Sequence, residues 1–247
     1  MDSGYYAACT ALMSKIQALD TVADNLANVS TNGYRGQHNV FQSVLAELRP
    51  VTSSQLNKVV NGYGVLGGTR LDLSQGTLQR TGADHDMAIE GPGFFVVQTA
   101  NGGKVFTRNG NFHVSTMNQL VTASGNLVMG QNGPITILDG ATTVSSDGTI
   151  SVNGALSGKL SVVEFPDGTS LQSLGQTYYS APAGSEKLAQ NSSVRQGMLE
   201  ESNVTAVSSV VELISVQRAA EMMQHVLSMF NSDIDKVAAQ ELPRINS

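Results

Sequence analysis

Asp84, His85 and Asp86 form the one run whose residue types suit chemistry. A histidine between two carboxylates suits a ligand pair or an oriented general base, with His113 as a distant partner. On an extended backbone, successive side chains point to opposite faces, so the three do not converge without help from elsewhere. The preferred reading is a polar turn entering a strand. Gly91-Pro92-Gly93-Phe94-Phe95 is glycine-rich, but it precedes a strand and lacks the Lys-Ser/Thr ending of a phosphate loop. It reads as a tight turn delivering Phe94 and Phe95 into a core. No Gly-x-Ser-x-Gly elbow occurs, and His38 and His225 stand alone. With Cys9 as the single cysteine, neither an internal disulfide nor a cysteine-based zinc site is available. No catalytic residue, cofactor or metal is assigned, and the protein is not expected to be an enzyme.

The rest of the composition narrows the class. Of 247 residues only 14% are charged, with 14 Lys and Arg against 20 Asp and Glu, so a basic nucleic-acid surface is not expected. No run of about 18 apolar residues occurs, which argues against membrane insertion. The opening Met1-Asp2-Ser3 has neither a positive region nor an apolar stretch behind it, so no cleavable secretory signal is expected.

The elements that must position these residues are marked by period. Tyr5, Cys9, Leu12, Ile16, Leu19, Ala23 and Leu26 step by four and three, the register of a helix with one packing seam. Asp2 or Ser3 suits its N-cap and Asn32-Gly33 its end. The pattern returns at Leu213, Val216, Ala220, Met223, Leu227, Phe230, Ile234 and Val237. This second helix is expected to start at Ser202-Asn203, with Glu200 and Glu201 beside the positive end of its dipole. Running to Gln240, it would be roughly 55 Å long.

Between the helices, nine Asn-Gly or Asp-Gly pairs separate short runs rich in Val, Ile, Thr and Phe. Such pairs favour the turns that join antiparallel strands. Strands are expected at residues 93–99, 104–107, 112–114, 120–122, 127–129, 135–137, 149–152 and 159–165. Phe41, Val44, Leu45 and Leu48 suit a short helix. The fold class is α+β: long N- and C-terminal helices paired as a coiled coil, with an inserted all-β, hairpin-rich domain. The expected division is a discontinuous helical domain (1–35 and 200–247), an extended connector (36–82 and 178–199) and the β domain (83–177). One seam per helix leaves apolar faces that demand neighbours, as in an open helical assembly.

Several motifs, in order along nearly the whole chain, then carry a resemblance. Asn25, Leu26, Ala27 and Asn28 open a run that continues through Val29-Ser30-Thr31-Asn32-Gly33-Tyr34-Arg35. Gly62-Tyr63-Gly64-Val65, Gly76-Thr77-Leu78, residues 86–95 with Gly91, Gly93, Phe94 and Phe95, Thr107-Arg108-Asn109-Gly110-Asn111-Phe112 and residues 120–125 follow. Ser202, Asn203 and Val204, then Gln217 and Arg218, close the set. Together they resemble the rod and hook proteins of the bacterial flagellum. Ala220 departs from the aromatic residue common in that family.

The length, the Met1-Asp2 opening and the short segment between Phe41 and Gly76 are most similar to the proximal-rod members. Distal-rod members follow closely and hook members, with their extra domains, less so. The resemblance implies a structural subunit whose partners are copies of itself, homologous rod proteins and the flagellar type III export apparatus. It also implies export without signal cleavage and residence in the periplasm-spanning rod. The assembly seam would then comprise Leu12, Ile16, Leu19, Leu26, Leu213, Val216, Met223, Leu227, Phe230 and Ile234. The rival reading is an enzyme or ligand-binding module on the β domain around Asp84, His85, Asp86 and His113.

Overall fold

The computed structural model describes residues 2–43, 64–166, 168–175 and 177–241. Helix α1 spans Asp2–Ala27 and helix α2 spans Ala206–Glu241. Between them lie short strands, so the chain is α+β with a helix toward each end and a β-rich middle. Contacts divide it into two units. The first holds Met1–Leu26, Gln37–Arg70 and Ala206–Ser247, and the second holds Ala27–Gly36 and Leu71–Thr205.

In the first unit, strand Gln37–Ser43 pairs with Gly64–Leu71. Phe41, expected in a short helix, lies in this strand. Val44, Leu45 and Leu48, together with Gly62 and Tyr63, lie outside the described residues. The strand enters directly from the turn after α1, where the Asn25 side chain accepts from Gln37 N at 2.9 Å and donates to Gln37 O at 2.8 Å.

The second unit is built on a ten-stranded sheet. Its main path runs Gln172–Gly175, Tyr178–Ser180, Lys104–Thr107, Phe94–Gln98, Leu127–Gly130, Leu120–Thr122 and Phe112–Val114. Phe94–Gln98 reads as four buried residues followed by a half-buried one, because both faces of this strand are covered. Phe95 points into a core with Met87, Ile89, Phe112, Leu120, Val128, Ile150 and Leu160. Its neighbour Phe94 points to the other face, with Val96, Phe106, Val163 and Tyr179. Edge-to-face ring contacts complete each side, Phe95 on Phe112 at 5.1 Å and Phe94 on Tyr179 at 5.8 Å.

Several local expectations change in the folded chain. Residues 135–137 make one isolated bridge at Thr136, while the strand beside them is Gly133–Pro134. The expected strand over 159–165 divides into Ala155–Lys159, in a three-stranded sheet with Thr149–Val152 and Thr142–Val144, and Val162–Glu164, on the large sheet. The polar stretch 178–199, expected as connector, contains paired strands within the second unit. Ser193–Gln196 pairs antiparallel with Met87–Glu90, and Met198–Glu200 with Leu78–Arg80. Their polar residues face outward or find partners, while Tyr179, Val194 and Leu199 are buried.

Candidate functional site: the junction of the chain-end motifs

Two of the motifs, those ending at Arg35 and containing Arg108, meet Glu200 in one buried cluster of the second unit. The Arg35 guanidinium donates from Nη2 to Glu200 Oε1 at 2.6 Å, and Arg108 Nη1 lies 3.4 Å from Glu200 Oε2. All three side chains are at most 1% exposed. Arg108 also donates to Gly91 O at 2.7 Å, and its guanidinium carbon stands 4.8 Å from the Phe94 ring centroid. Gly76 N donates to Glu200 Oε1, Gly33 N to the Glu200 carbonyl, and Arg35 N to Tyr179 Oη. Tyr179 thereby braces the backbone at the end of the N-terminal motif.

Two guanidiniums around one carboxylate leave one positive charge in excess within this cluster. Burial, followed by repulsion from Arg35, lowers the pKa of Arg108 to about 10, with Glu200 opposing the shift. Burial likewise pushes the Tyr179 phenol up to about 12. Both groups keep their protons at neutral pH. A buried ion pair gains little over apolar packing, but removing one partner strands the other charge, at about 3–5 kcal/mol.

Glu200 was expected beside the dipole of the second helix. It ends a strand instead, and α2 begins only at Ala206. The Ser202-Asn203 start is also displaced, because Asn203 is spent on the chain path. Its side chain accepts from Gly36 N at 2.7 Å and donates toward Asp72 O and Ser74 O at 3.0 and 3.1 Å. Ser202 Oγ accepts from Val204 N. Gly33 was expected to end the first helix, yet α1 stops at Ala27. Asn28 holds the following turn through Thr31. Gly33, with φ of 71°, lies so close to Asn109 that a Cβ would stand 2.3 Å from its backbone nitrogen. Gly91 and Gly93 face residues 191–192 at similarly short range, and Gly93 N donates to Ser192 Oγ at 2.8 Å.

The helix residues are placed as follows. On α1, Leu12, Leu19 and Leu26 are half-buried and Ile16 is 45% exposed. The buried positions fall elsewhere on the helix, at Ala8, Ser14, Ala18, Thr21, Val22 and Asn25. This is the face on which Asn25 holds Gln37 and the Thr21 hydroxyl meets the Asn39 amide at 3.1 Å. On α2, Leu213, Val216, Met223 and Leu227 share a half-buried face, and Phe230 is exposed. Ile234 lies on the helix beyond the described side chains. Val207, Val211 and Met222, off that face, are more than 60% exposed. Gln217 and Arg218 are exposed, and Gln217 donates to Glu221 one turn on.

The rival cluster is dispersed into structural bonds. Asp86 is buried and accepts from the Asn111 amide at 3.2 Å, the exposed Asp84 accepts from Gln196 through its carbonyl, and His85 is half-buried. His113 is exposed on Phe112–Val114, opposite Val121. Among the described residues no three His, Cys, Asp or Glu side chains gather to hold a metal ion. Sequence reasoning missed the pairing of Arg35, Arg108 and Glu200. Its only trace is that both arginines fall inside motifs, in a chain with few charges.

Motif residues spent on joining distant parts of one chain, between two long helices, define a scaffold type of protein. The comparisons make this specific. Residues 6–35 match the family model described as flagella basal body rod protein. Residues 88–152 match that of the flagellar hook protein FlgE/F/G D1 domain, and 195–240 that of the flagellar basal body rod FlgEFG protein C-terminal region. The chain is 31% identical to the flagellar basal-body rod protein FlgF of Caulobacter vibrioides over the full length of both. It is 33% identical to FlgF of Salmonella typhimurium, covering 92% of this chain and 94% of the relative. It is 31% identical to the rod protein FlgG of Buchnera aphidicola from Acyrthosiphon pisum, covering 89% and 92%. The chain belongs to the flagellar basal-body rod protein family.

Proposed function

We propose that this chain is a structural subunit of the proximal flagellar rod. It polymerises with copies of itself and homologous rod proteins into a helical tube that transmits torque and houses the export channel. The observation that carries the reading is the full-length likeness to the Caulobacter vibrioides FlgF, found in a chain with a long helix toward each end. In this reading α1 and α2 pair as a coiled coil along Leu12, Ile16, Leu19 and Leu26 with Leu213, Val216, Met223, Leu227, Phe230 and Ile234. The apolar side chains left exposed on α2 meet neighbouring subunits. The chain passes through the flagellar type III export apparatus without signal cleavage and resides in the periplasm.

Leu19→Pro or Leu227→Pro tests the reading, since proline removes an interior helix bond at about 3 kcal/mol. Neither variant should enter rods, and normal flagellation in either would defeat the proposal. The likeness to FlgG favours a second reading, a distal-rod subunit. Labelling the chain in purified basal bodies separates the two. On the enzymatic reading, the His85→Ala, His113→Ala double variant would lose motility; on the structural one it swims normally.

A further inference from the structure

Glu200 gathers parts of the second unit that lie far apart in the chain. Its carboxylate receives Arg35, Arg108 and Gly76 N, and its carbonyl receives Gly33 N. The strand it ends follows Ser193–Gln196, the one partner strand of Met87–Glu90 among the described residues. Gln196 adds its side chain, accepting from Val144 N and donating to Thr142 O and Asp84 O. Val194 N donates to Ser146 O, and Glu201 N to Thr77 O. Asn203 then receives Gly36 N and binds the carbonyls of Asp72 and Ser74. Residues 193–203 therefore bond to residues spread from Gly33 to Ser146.

We infer that residues 193–203 are a completion latch: the β-rich unit has no stable folded form until this last segment docks. Before docking, two guanidiniums would have to be buried without a counter-charge. Met87 and Ile89 would lose the strand that pairs with their own, and Val194 would leave the core it shares with them. The side-chain contacts that repay these losses span up to 167 residues, so they arrive only after long loops have closed. A chain delivered from its N-terminus stays open until this segment follows, then closes in one cooperative step. The inference concerns folding within one chain and stands apart from the proposed place in the rod.

Native-state hydrogen exchange on the full-length protein tests it, under conditions where reclosing outpaces exchange. Amides of residues 193–203 and hydrogen-bonded amides of Phe94–Gln98 and Lys104–Thr107 should share one opening equilibrium, with protection equal within about threefold. Protection at 193–203 that is about tenfold or more weaker than in those central strands overturns the latch, since the segment would then open alone. Glu200→Gln should lower protection in both sets together, by about a hundredfold. A loss confined to 193–203 also overturns it. Arg195→Ala, which breaks only the exposed pair with Glu90, should leave both sets within a few-fold of wild type. If Glu200→Gln does not fold, the wild-type comparison decides alone.

Discussion

The Arg35 guanidinium and the Glu200 carboxylate are 165 residues apart in the chain and 2.6 Å apart in space, with neither side chain exposed. This pair joins the end of the N-terminal motif to the strand that leads toward the second helix. Because Arg108 shares the same carboxylate, the three residues do not carry equal weight.

That inequality is measurable. Arg35→Met leaves Glu200 paired with Arg108 and brings the cluster to neutrality. Glu200→Met leaves two buried cations without a counter-charge. The second substitution should cost about 3–5 kcal/mol, and the first at least about 1 kcal/mol less. Urea unfolding of both variants gives the comparison, and equal midpoint shifts would show that cluster charge is not the controlling quantity.

Gly33 should tolerate no side chain. A methyl group there would overlap the Arg108–Asn109 backbone and add left-handed strain at φ of 71°. Gly33→Ala is expected to cost about 3 kcal/mol or more. Gly102 has φ of 80° with nothing within 4 Å of a built Cβ, so Gly102→Ala should cost only about 1 kcal/mol. Calorimetry on the two variants separates backbone crowding from conformational strain, and similar losses would count against the close approach at Gly33.

Asp147 gives an acid-side signature. Hydrogen bonds from Lys159 and from the Thr149 side chain and backbone lower its pKa to about 2. A depressed folded value means that its contribution is present above the ordinary carboxylate value of about 4 and is lost as pH falls toward 2. The pair is exposed, so the effect on stability is small and weakens with salt. Carboxyl-carbon NMR should find the low midpoint and move it upward in Lys159→Met. An unmoved midpoint would assign the shift to Thr149 alone.

Much of the architecture is written locally. Heptad spacing alone suffices for α1 and α2, because helix period is a property of neighbouring residues. Alternation between turn-forming Asn-Gly and Asp-Gly pairs suffices for Lys104–Thr107, Phe112–Val114, Leu120–Thr122 and Thr149–Val152, since hairpin chemistry is also local. The ordered motifs were enough to point to the family. What the tertiary structure alone decided is partnership. Residues 193–199 read as polar connector until they lie against Leu78–Arg80 and Met87–Glu90. Glu200 reads as a helix-dipole charge until two arginines from distant segments enclose it. Ala18 and Thr21, not Ile16, are buried on α1, because Asn25 and Thr21 engage the strand that follows. Period tells which residues share a face, but what covers that face depends on contacts across many residues, which local spacing does not encode.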